Sequence, residues 1–387
     1  MARIRPHHRQ RRNPVQHLIP GGRGARRDET VSGEASESAI LIDDNGSVRH
    51  SLADLLATGR TLLADGATGT NYFQMGLTSG EPPEFWNLDH PDRVQGLFQL
   101  FVDAGSDIIL TNSFGGTAQR LKLHKAEGRV RELAMIAAQL ARVVADRADR
   151  PVVVAGSVGP TGELFAPLGA LTPEIAVASF QVQIEGLRDG GADVIWIETM
   201  SAVEEVRAAA QASINAGMPY TATVSFDTAG RTMMGVLPSD LVSVFDGLEV
   251  QPLGMGSNCG VGASDILVSL LYMHEHGRDG IDPTFILKGN CGIPKFVGTE
   301  AVYTGTPELM ANYARLAIAG GARIIGGCCG TSAEHLAAMR TAIDAYEMQE
   351  RPTVEQIVAT IGPMVNSLPG AATSTRGAGR RRGGNVE

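Results

Sequence analysis

One pattern recurs eight times along this chain and constrains what it can become. A short apolar, β-rich run is followed by a turn of Gly, Ser, Thr or Asn, and then in most cases by a longer stretch of helical character. The apolar runs are Thr61–Ala64, Asp107–Leu110, Val152–Ala155, Val194–Ile197, Tyr220–Ser225, Leu253–Ser257, Phe285–Leu287 and Ala322–Ile325. Helical stretches include Arg93–Asp103, Val130–Ala148, Pro173–Asp189, Val203–Ala216 and Pro307–Ala319. Several stop at glycine (Gly105, Gly190-Gly191, Gly320-Gly321), the expected residue just past a last helical turn. Eight strands alternating with helices predict an α/β chain folded as a (β/α)8 TIM barrel, a fold of ~250 residues. An open, doubly wound parallel sheet is the alternative.

Four segments follow. Residues 1–45 lack apolar periodicity and read as a disordered Arg-rich extension. Residues 46–345 hold the barrel, residues 346–369 a helical extension starting near Thr353, and residues 370–387 a disordered Arg/Gly tail. Residues 1–27 carry eight arginines and no acid, yet the whole chain has a formal net charge of −9, so an acidic body carries basic ends. That balance argues against nucleic acid as the main partner. The N-terminus imitates a transit peptide, but Pro6, Pro14 and Pro20 interrupt any amphipathic helix. No apolar run reaches the ~18 residues of a membrane span, and four cysteines in such a chain fit reduced thiols in the cytoplasm.

A barrel of this kind places its active site at the C-terminal ends of its strands. The chemically distinctive residues fall there: Asp65-Gly66-Ala67-Thr68, Thr111-Asn112-Ser113, Glu198-Thr199, Asn258-Cys259, Asn290-Cys291 and Cys328-Cys329. Cys259, Cys328 and Cys329 can converge over the mouth, since their strands are two positions apart. Three thiolates with a fourth position open is a catalytic zinc arrangement. Zinc so rich in sulfur favours activating a bound thiol over hydrolysing water, which points to alkyl transfer to sulfur. A closed structural site with Cys291 as fourth ligand, a Cys328-Cys329 redox pair, or buried free thiols are the competing readings.

Asp65 and Glu198 are suited to an amino-acid ammonium, and the N–H groups of Gly66-Ala67-Thr68 to its carboxylate. Trp86 heads an aromatic group that suits a methylated cation through cation–π attraction, although loop packing accounts for it equally. Gly156–Gly162 lacks the Lys-Ser/Thr ending of a nucleotide loop. His335 belongs to the first turn of the last barrel helix.

Over roughly residues 60–345 the chain resembles the homocysteine S-methyltransferase family. The likeness is carried by Asp65-Gly66-Ala67-Thr68-Gly69-Thr70, Thr111-Asn112-Ser113-Phe114, Glu198-Thr199, Asn258-Cys259-Gly260 and Gly326-Gly327-Cys328-Cys329-Gly330-Thr331. The resemblance implies a (β/α)8 barrel, Zn²⁺ on Cys259, Cys328 and Cys329, and homocysteine bound through sulfur. It also implies that Asp65 and Glu198 contact the amino-acid end. The expected substrate-binding set is Asp65, Gly66, Ala67, Thr111, Ser113, Glu198, Asn258 and Trp86. Within the family the chain looks most like bacterial betaine–homocysteine methyltransferases, through Gly289-Asn290-Cys291-Gly292-Ile293-Pro294 and an Arg-rich C-terminus. Betaine is therefore the expected methyl donor, with S-methylmethionine or S-adenosylmethionine as alternatives. Thr199 stands where the animal betaine enzyme has Tyr, and Asn258 is a candidate displaceable fourth zinc ligand. A homo-oligomer is compatible with all of this.

Overall fold

In a computed structural model of the chain, eight parallel strands close on themselves. They are β1 (Leu62–Leu63), β2 (Ile108–Leu110), β3 (Val153–Val158), β4 (Val194–Met200), β5 (Tyr220–Val224), β6 (Gly254–Cys259), β7 (Phe285–Gly289) and β8 (Ala322–Gly327). The hydrogen-bonded order runs β1-β8-β7-β6-β5-β4-β3-β2, and a parallel bridge from Ala64 to Ile108 joins the two ends. The sheet is thus a (β/α)8 barrel and not an open doubly wound sheet. The structure describes residues 41–42, 48–275, 283–293, 295–297 and 300–366. Most of the expected Arg-rich extension and the whole Arg/Gly tail lie outside the described residues. Within the former, Leu41–Ile42 pairs antiparallel with Val48–Arg49.

Several strands run further than their apolar cores. β4 takes in Glu198 to Met200, β6 takes in Asn258 and Cys259, and β7 takes in Lys288 and Gly289. Backbone pairing continues wherever a neighbour offers partners, while propensity reads only side chains. The consequence is functional, because the polar rim residues sit on the sheet itself.

The crossovers are α1 (Pro91–Asp103), α2 (Val130–Ala145), α3 (Pro173–Asp189), α4 (Val203–Asn215), α5 (Ala263–Glu275), α6 (Pro307–Ala319) and α7 (Ala333–Asp344). Between β5 and β6 the connection is a 3-10 helix, Pro238–Phe245. Thr172 and Thr306 cap α3 and α6 by accepting from Ile175 and Leu309 N–H, each followed by Pro at the first helical position. After α3 the chain turns at Gly191 with φ +95°, a conformation costly for a residue with a Cβ. Helix α8 (Val354–Ile361) starts with a Thr353–Gln356 capping box and packs on α5 and α6.

Two apolar layers fill the structure. Inside the barrel lie Leu62, Ile108, Leu110, Val153, Val194, Trp196, Ile286 and Ile324, plugged from below by Leu52 and Leu55 of the short helix Leu52–Ala57. The larger layer lies between strands and helices. With the lower interior full, the barrel opens at its C-terminal mouth. At the opposite end Asp107 accepts the Leu63 N–H at 2.9 Å and pairs with Arg60 at 2.9 Å and Arg340 at 3.2 Å. It ties β1 to β2, where the ladder is thinnest.

Candidate active site

The vicinal pair leaves β8 in a tight turn, closed by Thr331 N–H to Cys328 O at 3.1 Å. Cys328 N–H is held by Gly289 O at 2.7 Å, and Cys329 N–H by Asn290 Oδ1 at 3.1 Å. Asn290 Nδ2 also donates to Gly260 O at 2.8 Å, so this side chain braces the two thiol-bearing loops against each other. Cys259 ends β6 with φ +62°, a left-handed conformation uncommon in a non-glycine residue. The result is that Cys259 Sγ and Cys329 Sγ lie 3.9 Å apart, and all three thiols lie within 4.8 Å of one another. Ligands 2.3 Å from a tetrahedral zinc are separated by about 3.8 Å, so the donor set matches that ion in type and spacing.

The thiols titrate together. Hydrogen bonds from Cys259 and Cys328 hold Cys329 far below the usual thiol range, to about 3, while the same contacts push Cys259 up. One thiolate forms readily and the next ones do not, which is the electrostatic problem a bound dication removes. Tyr303 adds a phenol hydrogen bond to Cys329. Cys291 is buried outside this group, its N–H given to Cys329 O at 2.9 Å. It is no fourth ligand in this arrangement.

Asn258 lies beneath the thiols. Its Oδ1 accepts from Thr199 N–H at 2.8 Å and Thr223 Oγ1 at 2.6 Å, while its Nδ2 faces Thr199 Oγ1 at 2.7 Å and Cys328 Sγ at 3.9 Å. The oxygen expected as a displaceable ligand is thus engaged, and the amide N–H is what meets sulfur. Thr199 itself has φ +61° at a register shift between Ile197 and Met200. That irregularity sits beside Glu198 on the rim.

A polar belt crosses β2, β3 and β4. Thr111 Oγ1 and Ser113 Oγ are 2.7 Å apart, Ser113 donates to Ser157 O at 2.7 Å, and Ser157 Oγ donates to Glu198 Oε1 at 2.5 Å. Burial pushes Glu198 up to about 7, against the pull of the Lys288 ammonium.

Lys288 was not among the expected residues. Its Nζ lies 2.6 Å from Asp65 Oδ1 and 5.7 Å from the Trp196 ring centroid. Burial lowers its proton affinity, but Asp65 and Glu198 outweigh that and keep it charged. The signal was available: a cation directly after Phe285-Ile286-Leu287 and before a glycine has no solvated face.

These contacts correct three expectations. Asp65 is wholly buried, with Oδ1 on Lys288 and Oδ2 accepting Leu110 N–H at 2.7 Å, so it is no open carboxylate. Gly66 and Ala67 line the cavity, but Ala67 N–H is given to Thr331 O at 3.1 Å and is not free for an anion. Trp86 is 1% exposed, packed against Tyr72 and Arg93, with Nε1 3.2 Å from Glu81 Oε1. It is core, and the cavity wall is built by other residues.

The cavity measures about 550 Å³. At its floor are Cys259, Cys328, Cys329, Glu198 and Lys288; further out it is lined by Phe73, Glu84, Phe114, Arg120 and Leu123. It therefore joins a thiol cluster, a buried acid and an apolar outer chamber in one space.

Comparison with known proteins places this site. The chain is 29% identical over 338 residues to the methionine synthase of Mycobacterium tuberculosis (strain ATCC 25618 / H37Rv), covering 80% of this chain and 27% of that protein. For the methionine synthase of Mycobacterium leprae (strain TN) the identity is 28% over 340 residues, covering 81% and 27%. The chain thus spans about a quarter of the length of these curated relatives. The metallated crystal form of the homocysteine methyltransferase MmuM from Escherichia coli shares the fold. Its TM-score is 0.63 at 23% identity, over 75% of this chain and 99% of that one. The family model for homocysteine S-methyltransferase matches residues 62–343, from the first barrel strand to the last barrel helix, and the chain belongs to that family.

Proposed function

We propose that this protein transfers a methyl group from betaine to the thiolate of homocysteine, giving methionine and dimethylglycine. The observation that carries the reading is the group of three thiols, within 4.8 Å of one another, at the floor of the cavity. Cys259, Cys328 and Cys329 would hold Zn²⁺, which when bound lowers the pKa of a thiol placed beside it and presents it as a nucleophile near neutral pH.

The chain's own residues do the rest. Glu198, a carboxylate of the cavity floor that forms no ion pair among the described residues, takes the homocysteine ammonium, and Ser157 orients it. Thr111 and Ser113 hold Ser157 in turn. Lys288, neutralised by Asp65, fixes the positive side of the floor and receives the substrate carboxylate. Asn258 braces Thr199 and directs N–H toward Cys328. The transfer is a displacement: sulfur bonds to the methyl carbon, the carbon–nitrogen bond breaks, and its electron pair stays on nitrogen. Opposite charges are cancelled, so an apolar chamber that keeps water out favours the transition state.

Purified full-length protein should bind about one zinc per chain and make methionine from homocysteine when a donor panel includes betaine. Cys259→Ala, Cys328→Ala and Cys329→Ala should each abolish metal binding and turnover, whereas Cys291→Ala should retain metal. Unchanged metal content in Cys328→Ala overturns the ligand assignment. Methionine formed from another donor and not from betaine overturns the donor while leaving the thiolate chemistry in place.

A further inference from the structure

The outer chamber holds one guanidinium that nothing above employs. Arg120, on the short helix Ala118–Leu121 after β2, lines the cavity and donates from Nε to Pro160 O at 3.2 Å. Among the described residues it forms no ion pair. The two acids whose fields reach it are already engaged. Glu84 accepts Gly115 N–H at 2.5 Å, and Glu205 accepts Thr161 N–H at 2.8 Å and its hydroxyl at 2.6 Å. A guanidinium lining a cavity with its fork uncommitted suits bidentate capture of a carboxylate.

Its surroundings define what else the ligand carries. Phe114 lines the same cavity with its ring against the Gly159 backbone, where an added Cβ would come within 2.5 Å of the ring. That close approach holds the aromatic face as a wall. Phe73 and Leu123 complete an apolar rim and are 53% and 76% exposed. An onium group is attracted to such an aromatic face, while a carboxylate left unpaired there would lose its solvation.

We infer that Arg120 anchors the carboxylate of the methyl donor, and that the donor class is therefore the onium carboxylates. Arg120 is a specificity residue in this scheme, resting on the thiolate methylation proposed above. The carboxylate stays on Arg120 while sulfur takes the methyl carbon. The bond to nitrogen breaks, and the neutral amine keeps both electrons and the anchored carboxylate.

The test uses full-length, zinc-loaded protein with homocysteine and compares wild type with Arg120→Gln and Arg120→Lys. For betaine, Arg120→Gln should raise KM about 10–100-fold with kcat within about three-fold, and Arg120→Lys should recover part of it. With betaine methyl ester, whose carboxylate is capped, KM should be the same in all three proteins, and KM for homocysteine should not move. Equal losses for betaine and its ester, or no change for either, overturn the assignment in favour of a role in holding the Pro160 loop. Calorimetric binding of dimethylglycine supplies a readout free of turnover, with about ten-fold weaker binding expected in Arg120→Gln. Wild type that binds homocysteine but neither betaine nor dimethylglycine sinks the Arg120 assignment together with betaine as donor, and leaves the thiolate methylation standing. If homocysteine fails to bind, the parent reading falls, and the dimethylglycine comparison still scores Arg120.

Discussion

Glu198 is held where its charge is expensive. Burial raises its pKa from 4.5 to about 7, so between those values the folded protein binds a proton that the unfolded chain has released. Its contribution is fully present below pH 4.5 and is lost as pH rises through 7. Glu198→Gln removes this dependence. In reduced, zinc-free protein the variant should be more stable than wild type by about 2 kcal/mol at pH 8 and nearly equal to it at pH 4.5, as denaturant unfolding would show. The same variant should weaken homocysteine binding, and a gain in stability with no loss of binding would contradict the role given to Glu198. At this scale the three thiols were legible in the sequence because few residues share their chemistry and each stood at a strand end. Lys288 carried a local signal, but its pairing with Asp65 was not legible, because the two are 223 residues apart and only the closed barrel joins them. Trp86 failed for the opposite reason, since aromatic residues near a mouth fill core as readily as they line a site.

The strands and helices followed the period of the apolar residues, and departures have local causes. α5 was not evident as a helix because it shows no polar face: Ile266, Leu267, Val268, Leu270 and Leu271 are all buried. It is covered by α6, by α8 and by the 3-10 helix Pro238–Phe245, so a pattern that relies on one solvated face had nothing to detect. The connection after β5 offered no helical period and proved to be 3-10. Asp107 shows what closes the ring between β1 and β2. Asp107→Ala removes the acceptor for Leu63 N–H and leaves Arg60 and Arg340 without their shared carboxylate. It should destabilise the fold by about 3 kcal/mol in urea or guanidinium titration, with Arg60→Ala alone costing less than about 1 kcal/mol. Equal, small effects in both would show that the seam does not depend on this side chain.

For the molecule as a whole, the eightfold repeat was enough to foretell a barrel, and the barrel was enough to gather the rim residues at one end. Among the described residues no helix is long and apolar enough to cross a membrane. The basic ends lie outside that account. What no repeat could foretell is how unevenly the ring is joined. β6 and β7 share five paired positions, from Met255–Phe285 to Cys259–Gly289, and β7 and β8 also share five. β8 and β1 share two, and β1 meets β2 through a single bridge. Hydrogen exchange on intact protein should find slower amides in β6, β7 and β8 than at Ala64 and Ile108, and uniform protection around the ring would contradict this. The thiols stand on the stiff side of the ring. The chamber lined by Phe73, Glu84, Phe114 and Arg120 stands over the compliant one. A barrel built in this way keeps the spacing of its three thiols constant while the wall after β1 and β2 is free to yield to the shape of a bound molecule.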